Sequence, residues 1–216
     1  MPESLEERFV SIVRDRLRGR EPAHDFLHVV RVVETGRTIA RSEAADPGVV
    51  IPAALLHELF NYPKGHPEAH LSGEVCARQA AAVLEAQGCP RDLIDRVTYC
   101  VTVHGFSTGI VPRTLEAKVL QDADRLDAIG AIGVARCFAT TSSMGRPFYD
   151  LEDPFCRVRE PDDRRFGLDH FYRKLLEIPG RLHTATARRL AEGRSRFLHD
   201  FLQRLEDEIG QRSVPP

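Results

Sequence analysis

Val49-Val50-Ile51-Pro52-Ala53-Ala54-Leu55-Leu56-His57-Glu58-Leu59-Phe60 is the stretch on which the reading of this chain turns. Its Ala53-Ala54-Leu55-Leu56 run has no solvent face, so the stretch predicts a short helix buried at the centre of a helical domain. An imidazole and a carboxylate interrupt that apolar run at His57 and Glu58. Burying either without a partner is costly, so something must satisfy both.

Working outward, the apolar period is helical almost everywhere. Leu5, Phe9, Ile12, Val13 and Leu17 share a stripe over 4–18, and Phe26, Leu27, Val30, Val33 and Ile39 share one over 24–41. Pro47 and Gly48 precede the central helix, and Asn61 to Gly65 end it. Pro67 suits the first turn of a helix reaching Gln87. Further helices are expected over 91–104, 113–129, 130–142, 168–177 and 183–209, with a turn at 105–112 and a fraying tail from Ser213. The small residues Gly130 to Gly133 imply close packing beside the helix before them. No segment alternates as a strand does, so the expected class is all-α, one domain over 1–216. Residues 144–168 break the pattern with Gly145, Pro147, Pro154 and Pro161. They read as a lid loop in which Phe148, Tyr149, Phe155 and Phe166 pack down and Arg157, Arg159, Arg164 and Arg165 stay partly free.

Composition narrows the function classes. The 216 residues carry 30 basic and 32 acidic side chains, a net charge of -2, which gives no field to hold a nucleic-acid duplex or an anionic membrane. No stretch approaches the ~20 apolar residues of a membrane span, and a cytoplasmic location is expected. The five cysteines, never closer than eleven residues, spell neither a zinc knuckle nor a redox pair and read as buried reduced thiols.

Three more polar groupings accompany His57-Glu58. His24 and His28 are four apart, so on a helix they share a face and either could ligate a metal; Asp25 suits the helix start. His104 precedes Gly105, as a proton donor, a phosphate contact or a favourable helix-end histidine. Asp122, Asp124 and Asp127 place three carboxylates within six residues of an otherwise apolar helix. They would repel one another unless a cation or Arg125 lies between them. Alone, each grouping has a plainer reading, such as a satisfied core histidine, a cap or a solvent-facing acid. Together they point to a buried metal ion.

In order and spacing, His28, His57, Glu58 and Asp124 resemble the HD-domain superfamily of metal-dependent phosphohydrolases, in its small stand-alone bacterial type. The likeness runs through His24-x-x-x-His28-x-x-Arg31-Val32, Asn61-x-Pro63-Lys64-x-His66-Pro67, Glu116-Ala117-Lys118, Gln121 to Ala131, Glu152 to Phe155 and Leu168 to Phe171, most of residues 22 to 180. The resemblance implies that His28, His57, Glu58 and Asp124 hold one divalent ion, with Asp122 the fallback for Asp124. The family's namesake pair is His-Asp, whereas this chain has His57-Glu58, which keeps the charge and adds a methylene.

Such a site suits metal-activated water attacking phosphorus, with Mn, Fe, Ni, Co, Zn or Mg as the ion. Asp25, Glu58 and Asp127 are candidate proton-handling carboxylates. His104 is a candidate donor, and Lys64, His66 and Arg125 are candidate phosphate contacts. The expected partner is a small phosphate ester or anhydride, a nucleotide foremost; the sequence leaves the oligomeric state open. Two other readings stand beside this one: a metal or nucleotide sensor weakened by Glu58, and a di-iron oxygenase needing His24, His66, His70 or His104 at the metals.

Overall fold

The computed structural model describes residues 3–20, 24–63, 66–106 and 109–210. Among these residues there are nine α-helices, two short 3-10 segments and no strand. The all-α expectation holds. No helix of the described residues is long and apolar enough to cross a membrane.

The chain divides into two compact units, Met1–Arg125 with His183–Ala187, and Leu126–Leu182 with Arg188–Pro216. In the first unit, α1 (Leu5–Arg16) starts at a capping box, Ser4 and Glu7 each accepting the other's backbone N–H. Next come α2 (Phe26–Glu43), α3 (Pro47–Leu56), α4 (Ser72–Ala86) and α5 (Arg91–Val103). Asp46 caps α3, and Pro47 occupies its first turn. Every residue from Val49 to Leu56 is buried, and α3 packs against α1, α2 and α5, so the central position read from its composition is the observed one. Against α4, the Thr102 carbonyl of α5 comes so close to Gly73 that a Cβ there would collide with it.

Two boundaries differ from expectation, and both matter for the site. The central helix ends at Leu56 rather than Phe60, because its last carbonyls are taken by side chains: His57 Nδ1–H donates to Ala54 O at 2.7 Å. Cys76 Sγ–H donates to Leu56 O and His57 O at 3.4 and 3.1 Å. Burial pushes the Cys76 thiol up to about 12, so it stays protonated and able to donate. The following helix starts at Ser72 after a 3-10 turn over Ala69–Leu71, so Pro67 precedes it rather than opening it.

The boundary between units falls within α6 (Leu115–Asp127) and within α9 (Ala185–Gly210). The second unit also holds α7 (Gly130–Ser143), α8 (Asp169–Arg173) and a 3-10 segment over Leu175–Arg181. Phe138, Phe171 and Phe201 form its aromatic cluster, with Phe171 and Phe201 stacked at 5.7 Å. At the junction after α6, a Cβ on Gly133 would collide with the carbonyl of Ala128, five residues before it.

The 144–168 segment is held differently from the expectation. Phe148 is 52% exposed, and Tyr149, Phe155 and Phe166 are only partly buried. Carboxylates anchor the segment instead. Asp153 accepts from the backbone N–H groups of Arg157, Val158 and Arg159 at 2.9, 2.9 and 3.1 Å. Fully buried Asp169 accepts from both terminal guanidinium nitrogens of Arg159 at 2.6 and 2.7 Å and from the N–H of Asp162 at 2.6 Å. Arg157, though exposed, pairs with Glu206, and Arg159 is engaged by Asp169; Arg164 and Arg165 are exposed, the latter over the Phe166 ring.

Candidate metal centre

Three elements bring the donors together in the first unit. The N-cap of α2 is Asp25, which accepts from His28 N at 2.9 Å and spends that oxygen on the helix start. His28, in the first turn, is fully buried. His57 caps the end of α3, and Asp124 projects from α6. Donor atoms of His28, His57 and Asp124 all lie within 4.8 Å of one another. The two Nε2 atoms of His28 and His57 face each other at 3.3 Å, and Asp124 Oδ1 is 3.5 Å from His28 Nε2.

His57 could serve as a ligand in these surroundings. A carbonyl oxygen can only accept, so the bond to Ala54 O places the ring proton on Nδ1 and leaves a lone pair on Nε2. Burial brings its pKa down to about 4; the charge of Glu58 opposes this and His28 and His104 add to it. His104 has the same arrangement: its Nδ1–H donates to Val101 O at 2.6 Å, and its ring lies edge-on to His57 at 5.3 Å.

Glu58 sits just past the helix end and is 4% exposed. Burial pushes its carboxyl up, but the neighbouring imidazoles, above all the hydrogen bond from His24, outweigh this and hold it far below the usual carboxylate range. His24 Nδ1–H donates to Oε1 at 2.9 Å. His24, His28 and Glu58 form a second group of donors within ligand distance of one another. His24 precedes α2 instead of lying on it, so the helical-face argument for His24 and His28 does not apply; their rings nonetheless come to 5.9 Å.

The residues present fit a divalent cation. Glu58 Oε2 is buried without a hydrogen-bond partner. Two imidazole nitrogens approach within 3.3 Å where at least one presents a lone pair. A mixed set of imidazole nitrogens and carboxylate oxygens is what borderline and hard divalent ions accept.

The other expected site residues fall in various places. Asp122 does not share the ligand group; it accepts from the N–H of His183 and Thr184 and from the Thr184 hydroxyl at 2.8–2.9 Å, clamping the start of α9. Two residues apart on α6, Asp122 and Asp124 are thus turned to different partners. Asp127 belongs to the second unit and accepts from Arg136 at 2.9 Å. Arg125 is buried, 3.1 Å from His183 Nε2, with its guanidinium over Phe106. His66 is exposed and stacked on Tyr62, its Nδ1 accepting from Glu68 N. His70 is exposed, and Lys64 lies outside the described residues.

Sequence reasoning placed Gln121 in this region without a role, and missed His183 and Cys76 as parts of it. Gln121 donates to Val103 O and Ile110 O at 2.7 and 2.9 Å, and its Oε1 lies 2.7 Å from His183 Nε2. A glutamine inside an apolar helical stripe was the available signal, and Thr184 before Ala185 was the capping signal beside it.

The helices bring donor atoms of two buried histidines and a partly buried aspartate together in a group that could hold a metal ion, and residues 25–129 match the HD domain family. The chain belongs to that family. It is 34% identical over 201 residues to the YpgQ protein of Bacillus subtilis, covering 91% of this chain and 90% of that one. The structure of YpgQ in complex with ADP aligns with a TM-score of 0.73 at 32% identity, covering 95% of this chain and 98% of the other. A Lactobacillus plantarum protein aligns at 0.78 and 26% identity, covering 98% and 100%. An HD-superfamily hydrolase from Bacillus thuringiensis aligns at 0.73 and 28% identity, covering 96% and 97%.

Proposed function

We propose that this chain is a metal-dependent phosphohydrolase acting on a nucleotide or another small phosphate ester or anhydride. The observation that carries the reading is the convergence of buried His28 and His57 with partly buried Asp124 within 4.8 Å. The ADP complex of YpgQ and the hydrolase relative from Bacillus thuringiensis support the substrate class and the reaction class.

In this reading His28, His57 and Asp124 hold one divalent ion, with Glu58 beside them. Such an ion lowers the pKa of its bound water from 15.7 toward ~7 and polarises a phosphoryl oxygen. Glu58, enclosed beside these donors, is the proposed carboxylate partner of the ion and of its bound water. His104 offers Nε2, because its Nδ1 is committed to Val101 O. Arg125, steadied by Phe106 and His183, supplies positive charge for phosphate oxygens. Asp25 acts by setting the α2 start that aims His28. Lys64 remains a proposed phosphate contact, and a lid role for 144–168 is proposed through Arg164 and Arg165. Replacing either should raise the Michaelis constant if they reach substrate.

The test incubates metal-stripped protein with each candidate ion and a panel of nucleoside mono-, di- and triphosphates, separating phosphate from pyrophosphate. Metal-dependent release of either supports the proposal. Nucleotide binding without turnover under every ion would replace it with the sensor reading.

A further inference from the structure

Glu58 is where this chain departs from the family's His-Asp pair, and its two oxygens have unlike surroundings. Oε1 accepts from His24 Nδ1–H at 2.9 Å and lies 3.7 Å from His28 Nε2. Oε2 is buried and has no hydrogen-bond partner. The His24 side chain is 27% exposed and that of Glu58 6%, so the bond joins a partly solvated imidazole to an almost fully enclosed carboxylate. His24 directly precedes the α2 N-cap Asp25, whose backbone is extended, and its side chain reaches a residue 34 positions on, at the end of α3.

A glutamate has one more rotatable bond than an aspartate, so a carboxylate set at a metal by Glu58 must have that extra freedom removed by something else. His24 is the group that does this. We propose that His24 is a positioning residue: its Nδ1–H holds Glu58 Oε1, which lies 3.7 Å from His28 Nε2, and so sets this carboxylate beside a cation bound at His28, His57 and Asp124. The inference rests on the metal-centre reading above. It makes His24 and Glu58 a matched pair, in which the longer acid and the histidine that steers it are required together. Groups that orient a metal ligand change metal affinity by ~10–100-fold when removed.

The test is a double-mutant cycle on the full chain, read as Mn2+ affinity by competition with a metallochromic chelator, and as the Co2+ absorption spectrum. His24→Ala should weaken Mn2+ binding by about 10-fold. His24→Asn, whose amide N–H stands near the position of Nδ1, should recover most of that loss and leave the Co2+ spectrum unchanged. In a Glu58→Asp background the shorter acid no longer needs steering, so adding His24→Ala should change affinity by less than about 2-fold. The inference is overturned if His24→Ala binds as the parent does. It is also overturned if the full loss persists in the Glu58→Asp background, or if His24→Asn is as weak as His24→Ala; either result makes His24 a direct ligand. A parent that binds no divalent ion overturns the metal-centre reading itself, which the other outcomes leave standing.

Discussion

Two buried ionic clusters, one in each unit, are built from similar groups and are satisfied to different degrees. Around Asp169 both carboxylate oxygens and both terminal nitrogens of Arg159 are used, with a backbone N–H added. Around His28 and His57, two imidazole nitrogens oppose each other at 3.3 Å and one carboxylate oxygen of Glu58 lacks a partner. A closed network holds a loop in place; an open one of buried polar groups is tolerated where a ligand completes it. The contrast separates scaffold from site without reference to any relative.

Breaking the closed cluster should have the largest effect. Asp169→Ala leaves a partly buried guanidinium without its counter-ion and should cost about 3–5 kcal/mol in urea unfolding, with Mn2+ affinity unchanged. A loss below ~1 kcal/mol would show that solvent replaces the carboxylate and that the cluster is not what holds the segment.

His57→Ala should act the opposite way. Divalent-ion affinity should fall by at least about 100-fold, some 2.7 kcal/mol, while the metal-free protein loses only the hydrogen bond to Ala54 O, about 1–3 kcal/mol. A metal-free protein that is strongly destabilised would mean that the opposed histidines are a structural contact.

The aspartates of α6 sharpen the comparison within a single helix. Asp122→Asn should cost about 1–3 kcal/mol of stability, because the N–H groups of His183 and Thr184 lose their anionic acceptor. Asp124→Asn should cost metal affinity and little stability. Exchanged outcomes would make Asp122 the ligand.

The smallest effect is a pH dependence confined to 150–169. Backbone N–H groups of Val158 and Arg157 hold the Asp153 carboxyl below the usual range, and that of Asp153 does the same for Asp150. A lowered folded-state value means that the folded state binds fewer protons. The contribution is therefore complete above the unfolded value of ~3.9 and is lost as pH falls through the lower folded value. Amide protection at Arg157 and Val158, corrected for intrinsic exchange, should decline below about pH 4 and not between pH 8 and 5. Unchanged protection at pH 2.5 would show that the turn stands without its carboxylates.

Much of the site could be read in the chain itself. Polar residues inside apolar helical runs singled out His57, Glu58 and Asp124, since few arrangements tolerate them unpaired. The helix end at Leu56 was not legible, because Leu59 and Phe60 continue the apolar pattern and the termination comes from Cys76, twenty residues on, and from the His57 ring. Nor was the role of Asp122, whose acceptors face a Thr184 sixty-two residues away. In the 144–168 segment, the aromatic residues suggested packing, but backbone N–H groups, which carry no sequence signal, were captured by Asp153.

Periodicity and the cost of burying polar groups thus determined, from the sequence alone, that the protein is all-helical with a short apolar helix at its core and a histidine and carboxylate cluster beside it. Only the tertiary structure decided which aspartate turns to the histidines, that His24 grips Glu58 from outside the helix, and which arginines are already engaged. These depend on distances between segments far apart in the chain, and on hydrogen bonds to backbone groups that every residue carries alike.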